Sequence, residues 1–575
     1  MSIIPPGEHI IETKKCLLSG EEFHITDKDL EFYDKISPIF GGKKYSIPGP
    51  KLSPDERWRR KLAFRNENYL YKRNCALTGQ EIISMYSPAS TKIIYDHEVW
   101  WSDAWDIKKY QGNFDFSRPF FDQFRDFIAP IPVPWLYNSK NENSRFNNYI
   151  IGGKNCYMSS VVYYGCENIL YSRWIFESKD IIDSFLVYVS EKCYGCIHIK
   201  NCNNCRNLIA SNNCSDCLFG KYLIGCRDCL LCSSLSQKQY CILNKQYTKE
   251  EYEKKKKEFL QLPEKTIQQY FTDFLQKQIA RNLYNFKCEN CLGDSMLNCQ
   301  DSFFCFDVEK LDNCKYVRWE QMKNCFDGIW GQIENSYEFN RGGIVGTSCC
   351  FVNDAINSSN VFYCFGVYNV SDCFACSGLH SHEHHCILNT PYSAHEYEVL
   401  CGKIIDHMKS TGEWGEFFPH SMSPFGYNET CAQDYFPTTE EAIKTLGWNW
   451  YPEDTKSFEG NAYAPLPIRE YDERNVWGAV AQKNIDALLA GMLQCEITGK
   501  PFKITPQELV FSIENAIPIP TKHPDQRRKE RMNLRNPQKF YERTCAECHK
   551  NIITTYPPER PEKVVCEACY QKLVY

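Results

Sequence analysis

The sequence Cys202-Asn-Asn-Cys205 is repeated twelve residues later as Cys214-Ser-Asp-Cys217 and again as Cys226-Arg-Asp-Cys229. Short β-prone segments separate these motifs, such as Leu218-Phe-Gly-Lys-Tyr-Leu-Ile224. Short strands at constant spacing, punctuated by Asn, Asp and Gly, are typical of a β-solenoid, in which every coil presents the same inward position. Asn suits the corners because it bonds neighbouring backbone and tolerates left-handed φ/ψ angles. The pattern predicts a Cys-rich solenoid arm over residues 151–247.

A second arm follows from an internal repeat in the middle of the chain. Cys241-Ile-Leu-Asn, which ends the first arm, matches Cys386-Ile-Leu-Asn at an offset of 145 residues. The cysteines that precede the second copy are unevenly spaced, so we predict a less regular solenoid over residues 288–392. The Lys- and Glu-rich stretch between the arms has helical composition and predicts a helical connector.

The two ends of the chain are also related to each other. Pro524–Tyr570 aligns without a gap on Pro54–Trp100 at a constant offset of 470. The C-terminal copy contains two C-x2-C pairs separated by seventeen residues, formed by Cys545, Cys548, Cys566 and Cys569. Four thiolates at this spacing predict a tetrahedral zinc site in a zinc ribbon. The role predicted for that zinc is structural, because four cysteines leave no open coordination position.

The N-terminal copy of the ribbon lacks most of these ligands. Cys75 remains, but Thr78, Asp96 and Val99 occupy the other three positions. We therefore predict a degenerate ribbon that is held by packing, helped by the neighbouring tryptophans Trp100, Trp101 and Trp105. Two further cysteines, Cys16 and Cys495, each lie in a C-x2-[ST]-G sequence, which is half of a metal-binding knuckle.

The predicted fold class is mainly β with α segments: two Cys-rich β-solenoid-like arms flanked by duplicated zinc-ribbon-type terminal modules. We divide the chain into a degenerate zinc-ribbon module (1–110), a linker (111–150), the first arm (151–247), a helical connector (248–287), the second arm (288–392), a helical and Pro-rich connector (393–490) and a C-terminal zinc-ribbon module (491–575).

The bulk composition indicates a protein with reduced thiols. The chain has 575 residues, 33 cysteines and a net charge of −6, so no global positive field recruits nucleic acid. It begins without an apolar leader, and no apolar run reaches the roughly 18 residues of a membrane span. We therefore expect a cytoplasmic protein that does not contact membranes. Its cysteines should then be metal ligands or small buried residues rather than disulfides.

Further zinc sites in the arms are an open alternative to space-filling cysteines. C-x2-C pairs on adjacent coils could converge on a metal, and the candidate ligands are Cys193, Cys196, Cys202, Cys205, Cys288 and Cys291. A histidine-rich segment gives a second candidate, because in a regular strand His380, His382, His384 and Cys386 share one face. The alternative for this segment is an exposed polar strand, since the first arm has no histidines at the matching positions.

Each ribbon is preceded by a predicted helix with a basic stripe. Arg57, Lys61 and Arg65 follow one another at i, i+4 and i+8 and form the N-terminal basic stripe. The C-terminal basic stripe repeats it with Arg527, Arg531 and Arg535. Such stripes beside a zinc ribbon suit the phosphate backbone of RNA. Pairing with carboxylates of the same chain is the alternative.

These observations favour a non-enzymatic zinc protein whose terminal modules bind a large partner. RNA or a ribonucleoprotein particle is the leading candidate for that partner. A self-assembling or dimeric scaffold is the alternative, because both the modules and the arms are duplicated. A metal-dependent hydrolase built on the segment from His380 to Cys386 is a weaker alternative. The sequence carries no Walker loop, G-x-S-x-G or H-E-x-x-H motif.

Several longer strings carry a family resemblance over essentially the whole chain. They include Phe64-Arg-Asn-Glu-Asn-Tyr-Leu-Tyr-Lys-Arg-Asn-Cys75, Trp100-Trp-Ser-Asp-Ala-Trp105 and Pro424-Phe-Gly-Tyr-Asn-Glu429. With them, the chain resembles an uncharacterised family of Cys-rich zinc-ribbon proteins of candidate phyla radiation bacteria. The resemblance implies a bacterial origin and this fold, and it supplies no activity. Some relatives look as though they carry cysteines at the positions of Ser53, Glu56, Thr78, Asp96 and Val99.

Overall fold

The computed structural model describes residues 3–341, 345–380, 382–452 and 462–574. The chain divides into two compact units. The first unit contains residues 1–136 and 283–452, and the second contains residues 137–282 and 453–575. Each unit therefore combines one terminal module with one arm, and the module belongs with the arm that lies farther from it in sequence. The predicted fold class is confirmed, whereas this interleaved grouping was not predicted.

The first arm is a solenoid of parallel strands in the second unit, and its last strand, Lys245–Gln246, pairs antiparallel. Ile197 pairs with Ile209 and Leu218 with Leu230, so these coils contain twelve residues, and the pairing of Ser160 with Arg173 marks one coil of thirteen. Its strands are Asn138–Ser139, Asn148–Ile151, Ser160–Tyr163, Glu167–Leu170, Arg173–Phe176, Lys179–Ile182, Phe185–Tyr188, Glu191–Tyr194, Ile197–Lys200, Arg206–Asn212, Leu218–Ile224, Arg227–Ser236, Gln239–Ile242 and Lys245–Gln246. The arm therefore begins within the segment 111–150, for which the sequence predicts a linker. The prediction places the boundary too late because the first coils lack the Cys-x2-Cys motif.

The second arm is the equivalent solenoid in the first unit. Met322 pairs with Ile333 and Ser371 with His384, so its coils vary between eleven and thirteen residues, which explains the uneven cysteine spacing. Its strands are Asn285–Phe286, Leu292–Leu297, Phe303–Glu309, Arg318–Glu320, Met322–Ile329, Ile333–Asn340, Gly346–Ile356, Ser359–Phe362, Phe365–Tyr368, Ser371–Phe374, His384–Ile387 and Thr390–Pro391.

A left-handed residue at every third position turns the coil. Asn201, Asn204, Asn207, Ala210 and Asn213 have φ between 47° and 54°. Twelve residues with a turn at every third one give four short sides per coil. Asn and Asp are frequent at these corners because a left-handed backbone costs other residues roughly 1–2 kcal/mol. Corner side chains also bond from coil to coil, as in the contacts Asn201 to Asn213 (3.1 Å) and Asn204 to Asp216 (2.7 Å).

The residue after each corner points into the arm, which explains the frequent Asn-Cys pairs. Cys205 and Cys217, one coil apart, are both buried. The Cys205 thiol donates to the carbonyls of Asn203 (3.2 Å) and Cys214 (3.6 Å). Ser184 does the same at another inward position, where its hydroxyl donates to Ile182 at 2.9 Å. Inward positions thus accept a small side chain that can bond a backbone carbonyl beside a corner, and cysteine also adds apolar volume.

Both arms end in the same way, with a helix that begins with a capping box. In the second unit Thr248 caps the helix Lys249–Leu260, and in the first unit Ser393 caps the helix Ala394–Ser410. The remaining helices of the second unit are Glu264–Leu275, Gly478–Ala490, Pro506–Glu514, Pro524–Asn533 and Glu567–Val574, with a 3-10 turn at Ile468–Tyr471. Its short strands outside the arm are Ile279–Arg281, Leu493–Gln494, Pro501–Phe502, Tyr541–Thr544, Asn551–Thr554 and Lys563–Val565.

The N-terminal module of the first unit has a closely similar order of elements. Its helices, with those that follow the arm, are Asp27–Ile36, Pro54–Leu62, His97–Trp100, Phe120–Ile128, Cys431–Tyr435 and Glu440–Thr445, with 3-10 turns at Ile107–Lys109, His420–Met422 and Tyr427–Glu429. Its short strands are Ile10–Lys15, Glu22–Thr26, Ile39–Phe40, Lys43–Lys44, Tyr71–Asn74, Glu81–Ser84, Ile94–Tyr95 and Val133–Pro134. An aromatic core that includes Phe124, Tyr363 and Phe418 joins the module to its arm.

Candidate metal centre

The first half of the C-terminal ribbon is a tight knuckle between the paired strands Tyr541–Thr544 and Asn551–Thr554. The backbone N–H of Cys545 donates to the carbonyl of Lys550 at 2.8 Å, and that of His549 donates to Cys545 at 3.1 Å. His549 adopts the left-handed conformation, with φ of 58°. This turn places the thiols of Cys545 and Cys548 on one side of the loop.

The second half supplies the other two thiols. Strand Lys563–Val565 leads to Cys566, and Cys569 lies in the helix Glu567–Val574 that follows. The four sulfur atoms all lie within 4.8 Å of one another, and Cys548 Sγ lies 3.7 Å from Cys566 Sγ. A tetrahedral ion with metal–sulfur bonds of about 2.3 Å needs sulfur atoms about 3.8 Å apart. The tetrad therefore fits a four-coordinate metal ion.

Backbone donors prepare Cys545 for a metal. Burial alone would raise the pKa of the Cys545 thiol, but the backbone N–H groups of Cys548 and Cys566 lower that pKa to about 6. The N–H of Cys566 donates directly to Cys545 Sγ at 3.2 Å. Since the thiolate is the form that binds metal, these donors favour metal binding at neutral pH.

The same knuckle turn occurs three more times without its metal ligands. The residue four positions after the cysteine is left-handed in each, with φ values of 72° at Gly20, 73° at Gly79 and 67° at Gly499. The second cysteine of each pair is replaced by a hydroxyl residue, in the pairs Cys16/Ser19, Cys75/Thr78 and Cys495/Thr498. Burial acts to raise the pKa of each remaining thiol, but hydrogen bonds from that hydroxyl and from backbone N–H groups lower it. The backbone of these knuckles therefore does not depend on a bound metal.

Packing replaces the missing ligands of the N-terminal ribbon. Asp96, at a ligand position, caps the short helix His97–Trp100 by accepting the N–H of Glu98 at 3.0 Å. Trp100 is only 1% exposed, and its indole N–H donates to the carbonyl of Pro132 at 3.1 Å. Of the predicted tryptophans, Trp100 thus lies in a structural core, whereas Trp105 is partly buried and Trp101 is 41% exposed.

The histidine segment does not assemble a metal site. His380 packs against Trp100, with ring centroids 4.8 Å apart, and its Nδ1 lies 2.8 Å from the carbonyl oxygen of Gly378. His384 is exposed, whereas Cys386 is buried in the core of the arm. The prediction assumed an alternation of two residues, but left-handed corners at His382 and His385 impose the solenoid period of three.

Among the described residues the arm cysteines do not form a metal-binding group, although the Cys202 side chain interacts with those of Cys205 and Cys214. Cys193, Cys196, Cys202 and Cys205 are buried at inward positions, and each thiol donates to backbone carbonyls. Cys288 and Cys291 are half-buried and donate to Phe286 and Glu289. Within the part of the chain that the structure describes, the C-terminal tetrad is the only group of three or more His, Cys, Asp or Glu residues with metal-binding geometry.

The N-terminal basic stripe is buried against the second arm rather than open to a phosphate backbone. Arg57 and Lys61 are 2% and 1% exposed. Arg57 Nη2 lies 2.9 Å from Asp327 Oδ2, and Lys61 Nζ lies 2.8 Å from Glu338 Oε2. Burial acts to lower the pKa of Arg57, but the Asp327 carboxylate raises it well above its usual range. Arg65, the third member, pairs with the buried Glu67 at 2.7 Å.

The C-terminal basic stripe has the same arrangement in the second unit. Arg527 contacts the carboxylate of Asp183 on the first arm and lies 3.1 Å from Glu508. Arg531 Nη1 lies 2.7 Å from the other oxygen of Asp183. The guanidinium of Arg535 lies over the ring of Phe185, 4.5 Å from its centroid. The six basic side chains proposed for nucleic-acid binding thus contact groups of their own unit, which was the alternative drawn from the sequence.

The acidic partners were missed in the sequence analysis. Asp183 and Asp327 are 144 residues apart, close to the offset between the two arms, and both occupy left-handed corners. This shared offset is the sequence signal that could have identified them as equivalent partners. Their local sequence does not distinguish them from other corner residues.

The comparisons with known proteins add no relative. A scan against family models, a search of curated proteins and a search of solved structures each return no match for the chain. Among the helices of the described ranges, none is both long and apolar enough to cross a membrane.

Proposed function

We propose that this chain is a non-enzymatic, zinc-stabilised scaffold, in which each terminal module clamps one solenoid arm. The observation that carries the proposal is the pair of equivalent ion clusters, Arg57 with Asp327 and Arg527 with Asp183. In each unit the most basic helix of the module contacts a buried carboxylate of the arm. Such a module is suited to fix the arm in one position rather than to grip a charged polymer.

The proposed metal is zinc, and its proposed role is structural. Cys545, Cys548, Cys566 and Cys569 form an all-sulfur, four-coordinate set, which is typical of structural zinc. Zinc supplies four bonds that close the ribbon and no redox chemistry. A tetrad of thiolates offers no position to a substrate, which supports a role outside catalysis.

The ribbon is well placed to stabilise the unit that contains it. Strand Lys563–Val565, next to Cys566, pairs in parallel with strand Ile279–Arg281. Tyr556 bonds Tyr222 of the first arm through their hydroxyls at 2.7 Å. Closure of the ribbon by a metal therefore supports a surface that contacts both the arm and the segment that follows it.

Recognition of RNA or of a ribonucleoprotein particle stays a prediction. The basic side chains on which it was based are engaged inside the two units, so an RNA site would need other cations. A hydrolase that uses His380, His382 and His384 likewise has no supporting geometry in the described residues. A scaffold, including one that self-associates, requires neither the basic stripes nor the histidines to be exposed on the surface.

Two measurements on the intact protein test the proposal. The first is fluorescence anisotropy with structured and single-stranded RNA at several salt concentrations, for which we expect no specific binding at physiological salt. Specific binding whose affinity falls as salt rises would reject a purely structural role in favour of RNA recognition through other cations. The second is light scattering over micromolar concentrations, in which a dimer or larger species supports self-assembly and a monomer throughout removes that part of the proposal.

A further inference from the structure

The second unit contains an open cleft between the first arm and the helix Pro506–Glu514. Its volume is about 780 Å³. One wall is a column of corner side chains on successive coils, including Asn168, Asp180 and Asn204. The other wall is the face of the helix that carries Val510 and Phe511. Val510 is 54% exposed, so this wall offers apolar surface to the solvent-filled cleft.

The first unit contains the equivalent clefts. Helix Asp27–Ile36 corresponds to Pro506–Glu514, since Phe32 and Phe511 share the 479-residue offset of Cys16 and Cys495. Phe32 stacks on Phe326 of the second arm, with ring centroids 3.7 Å apart. A cavity of about 400 Å³ is lined by both Phe32 and Phe326, and a second cavity of about 490 Å³ is lined by the end of the helix at Lys35 and Ile36. Corner residues line both cavities. The cleft is thus a repeated feature of the two units.

The corner columns give these clefts a regular polar wall. Asn168 donates to Asp180 at 2.7 Å, and Asn360 donates to Asp372 at 3.1 Å in the first unit. An amide has two N–H donors and an acceptor oxygen, so a bond to the next corner uses part of its capacity. Polar groups therefore recur along the wall at the spacing of adjacent strands, about 4.8 Å.

The clefts carry no excess of cations, which disfavours a polyanion, and the cleft that contains Asn360 has Lys35 against Asp372 and Glu398. In the second unit Lys179 and Lys192 are matched by Asp180 and Glu514. Lys179 also pairs with Glu167 at 3.2 Å. A phosphate polymer needs an excess of cations to release its counterions. A neutral ligand with many hydroxyl groups needs donors and acceptors of both kinds, together with apolar surface for the flat face of a ring.

We propose that the clefts bind a linear, uncharged glycan, with one stretch of sugar rings along each corner column. Hydroxyl groups of successive rings would bond to the amides and carboxylates of successive coils. The apolar side chains of the helix wall would contact the ring faces. This inference rests on the proposed scaffold function, because the terminal module must hold its helix at a fixed distance from the arm.

Isothermal titration calorimetry with cellohexaose and with chitohexaose tests the inference on the full-length, metal-loaded protein. We expect at least one of these neutral β-linked hexasaccharides to bind with a Kd between about 10 μM and 1 mM. Asn204→Ala should remove the site of the second unit, and Asn360→Ala should remove a site of the first. Each single variant should lower the stoichiometry. The triple variant that adds Asn313→Ala, in the remaining cleft of the first unit, should bind at least about tenfold more weakly.

The chain offers a matched control for each variant. Asn201 and Asn357 are corner residues three positions before Asn204 and Asn360, and they form equivalent bonds, to Asn213 at 3.1 Å and to Asn369 at 3.3 Å. Neither residue lines a cleft among those described. Asn201→Ala and Asn357→Ala should perturb the coil equally and leave glycan binding unchanged.

The outcomes separate the inference from the scaffold proposal. If neither hexasaccharide binds at about 5 mM, or if the control variants lose binding as much as the cleft variants, the glycan site is rejected. If a heparin hexasaccharide or an RNA oligonucleotide binds in the cleft instead, it is rejected as well. The scaffold proposal survives these results when the RNA and light-scattering results match its expectations.

Discussion

Arg57 Nη2 lies 2.9 Å from Asp327 Oδ2 in the first unit, and Arg527 contacts Asp183 in the second. The two arginines are 470 residues apart in the sequence and the two aspartates 144 residues apart. Two duplications with different offsets thus preserve one contact. The N-terminal module holds the second arm, and the C-terminal module holds the first. The conserved element of this architecture is the interface between module and arm.

Removal of one clamp carboxylate should destabilise the unit that contains it. Asp327→Asn leaves Arg57 buried, with Glu338 at 3.6 Å as its remaining carboxylate. Breaking a buried ion pair costs about 3–5 kcal/mol, because an uncompensated charge stays inside. We expect Asp183→Asn to have a cost of the same size in the second unit. Chemical denaturation measures both.

An exposed ion pair provides the control for the clamp variants. Lys444 and Glu440 pair at 2.6 Å, with side chains 64% and 43% exposed. Glu440→Gln should change the free energy of unfolding by less than about 1 kcal/mol. Equal costs for Glu440→Gln and Asp327→Asn would show that the clamp does not stabilise the fold.

Metal content should be one zinc ion per chain. Cys566→Ser should abolish metal binding and reduce the protection of the strand Lys563–Val565 in hydrogen exchange, because the ribbon loses its closure. Cys75→Ser, at the position equivalent to Cys545, should leave the metal content unchanged. Elemental analysis of the purified protein gives the ratio. Two or more ions per chain, or one ion retained by Cys566→Ser, would contradict the single tetrad.

All thirty-three cysteines should be titratable as thiols in denaturant without added reductant, because the structure pairs none of them in a disulfide. In the folded protein we expect Cys548, which is exposed, to react first once the metal is removed, whereas the inward thiols of the arms stay protected. Mass spectrometry after alkylation gives both results. A deficit of two or more thiols in fresh protein would indicate disulfides and overturn this account of the arms.

Glu429 should make the first unit less stable as the pH rises. Burial raises the pKa of this carboxyl from 4.5 to about 7, although Tyr71 and the N–H of Gly426 donate to it and act in the opposite direction. A carboxyl whose pKa is higher in the folded state contributes its full stability below about pH 4.5 and loses it as the pH approaches 7.

Glu429→Gln tests this pH dependence. The amide cannot ionise and keeps an acceptor for the Tyr71 hydroxyl, which lies 2.6 Å from Glu429 Oε2. Above pH 7 the variant should be more stable than the wild type by up to about 3 kcal/mol, and the two should converge near pH 4. Thermal unfolding over this pH range provides the measurement. A constant difference at every pH would indicate a packing effect instead.

The sequence predicts the fold correctly where one short pattern repeats. Each Asn-Cys pair of the first arm corresponds to a left-handed corner followed by a small inward residue. The pairs therefore predict both the coil and its period. Where the coils begin before Cys156 no such pair exists, and we assigned them to a linker. The predicted metal site in the histidine segment is not formed. A regular strand places His380, His382 and His384 on one face, whereas a coil with a corner at every third residue does not.

The amino-acid sequence by itself determined the twelve-residue coil and the four cysteines of the candidate metal centre, because both depend on residues close together along the chain. It also determined the duplicated modules, because an ungapped alignment of the chain with itself shows them. Only the tertiary structure decided that the basic stripes face inward. Arg57 and its partner Asp327 are 270 residues apart, and the direction of a charged helix face depends on which buried carboxylate packs against it. Local spacing carries no information about that choice.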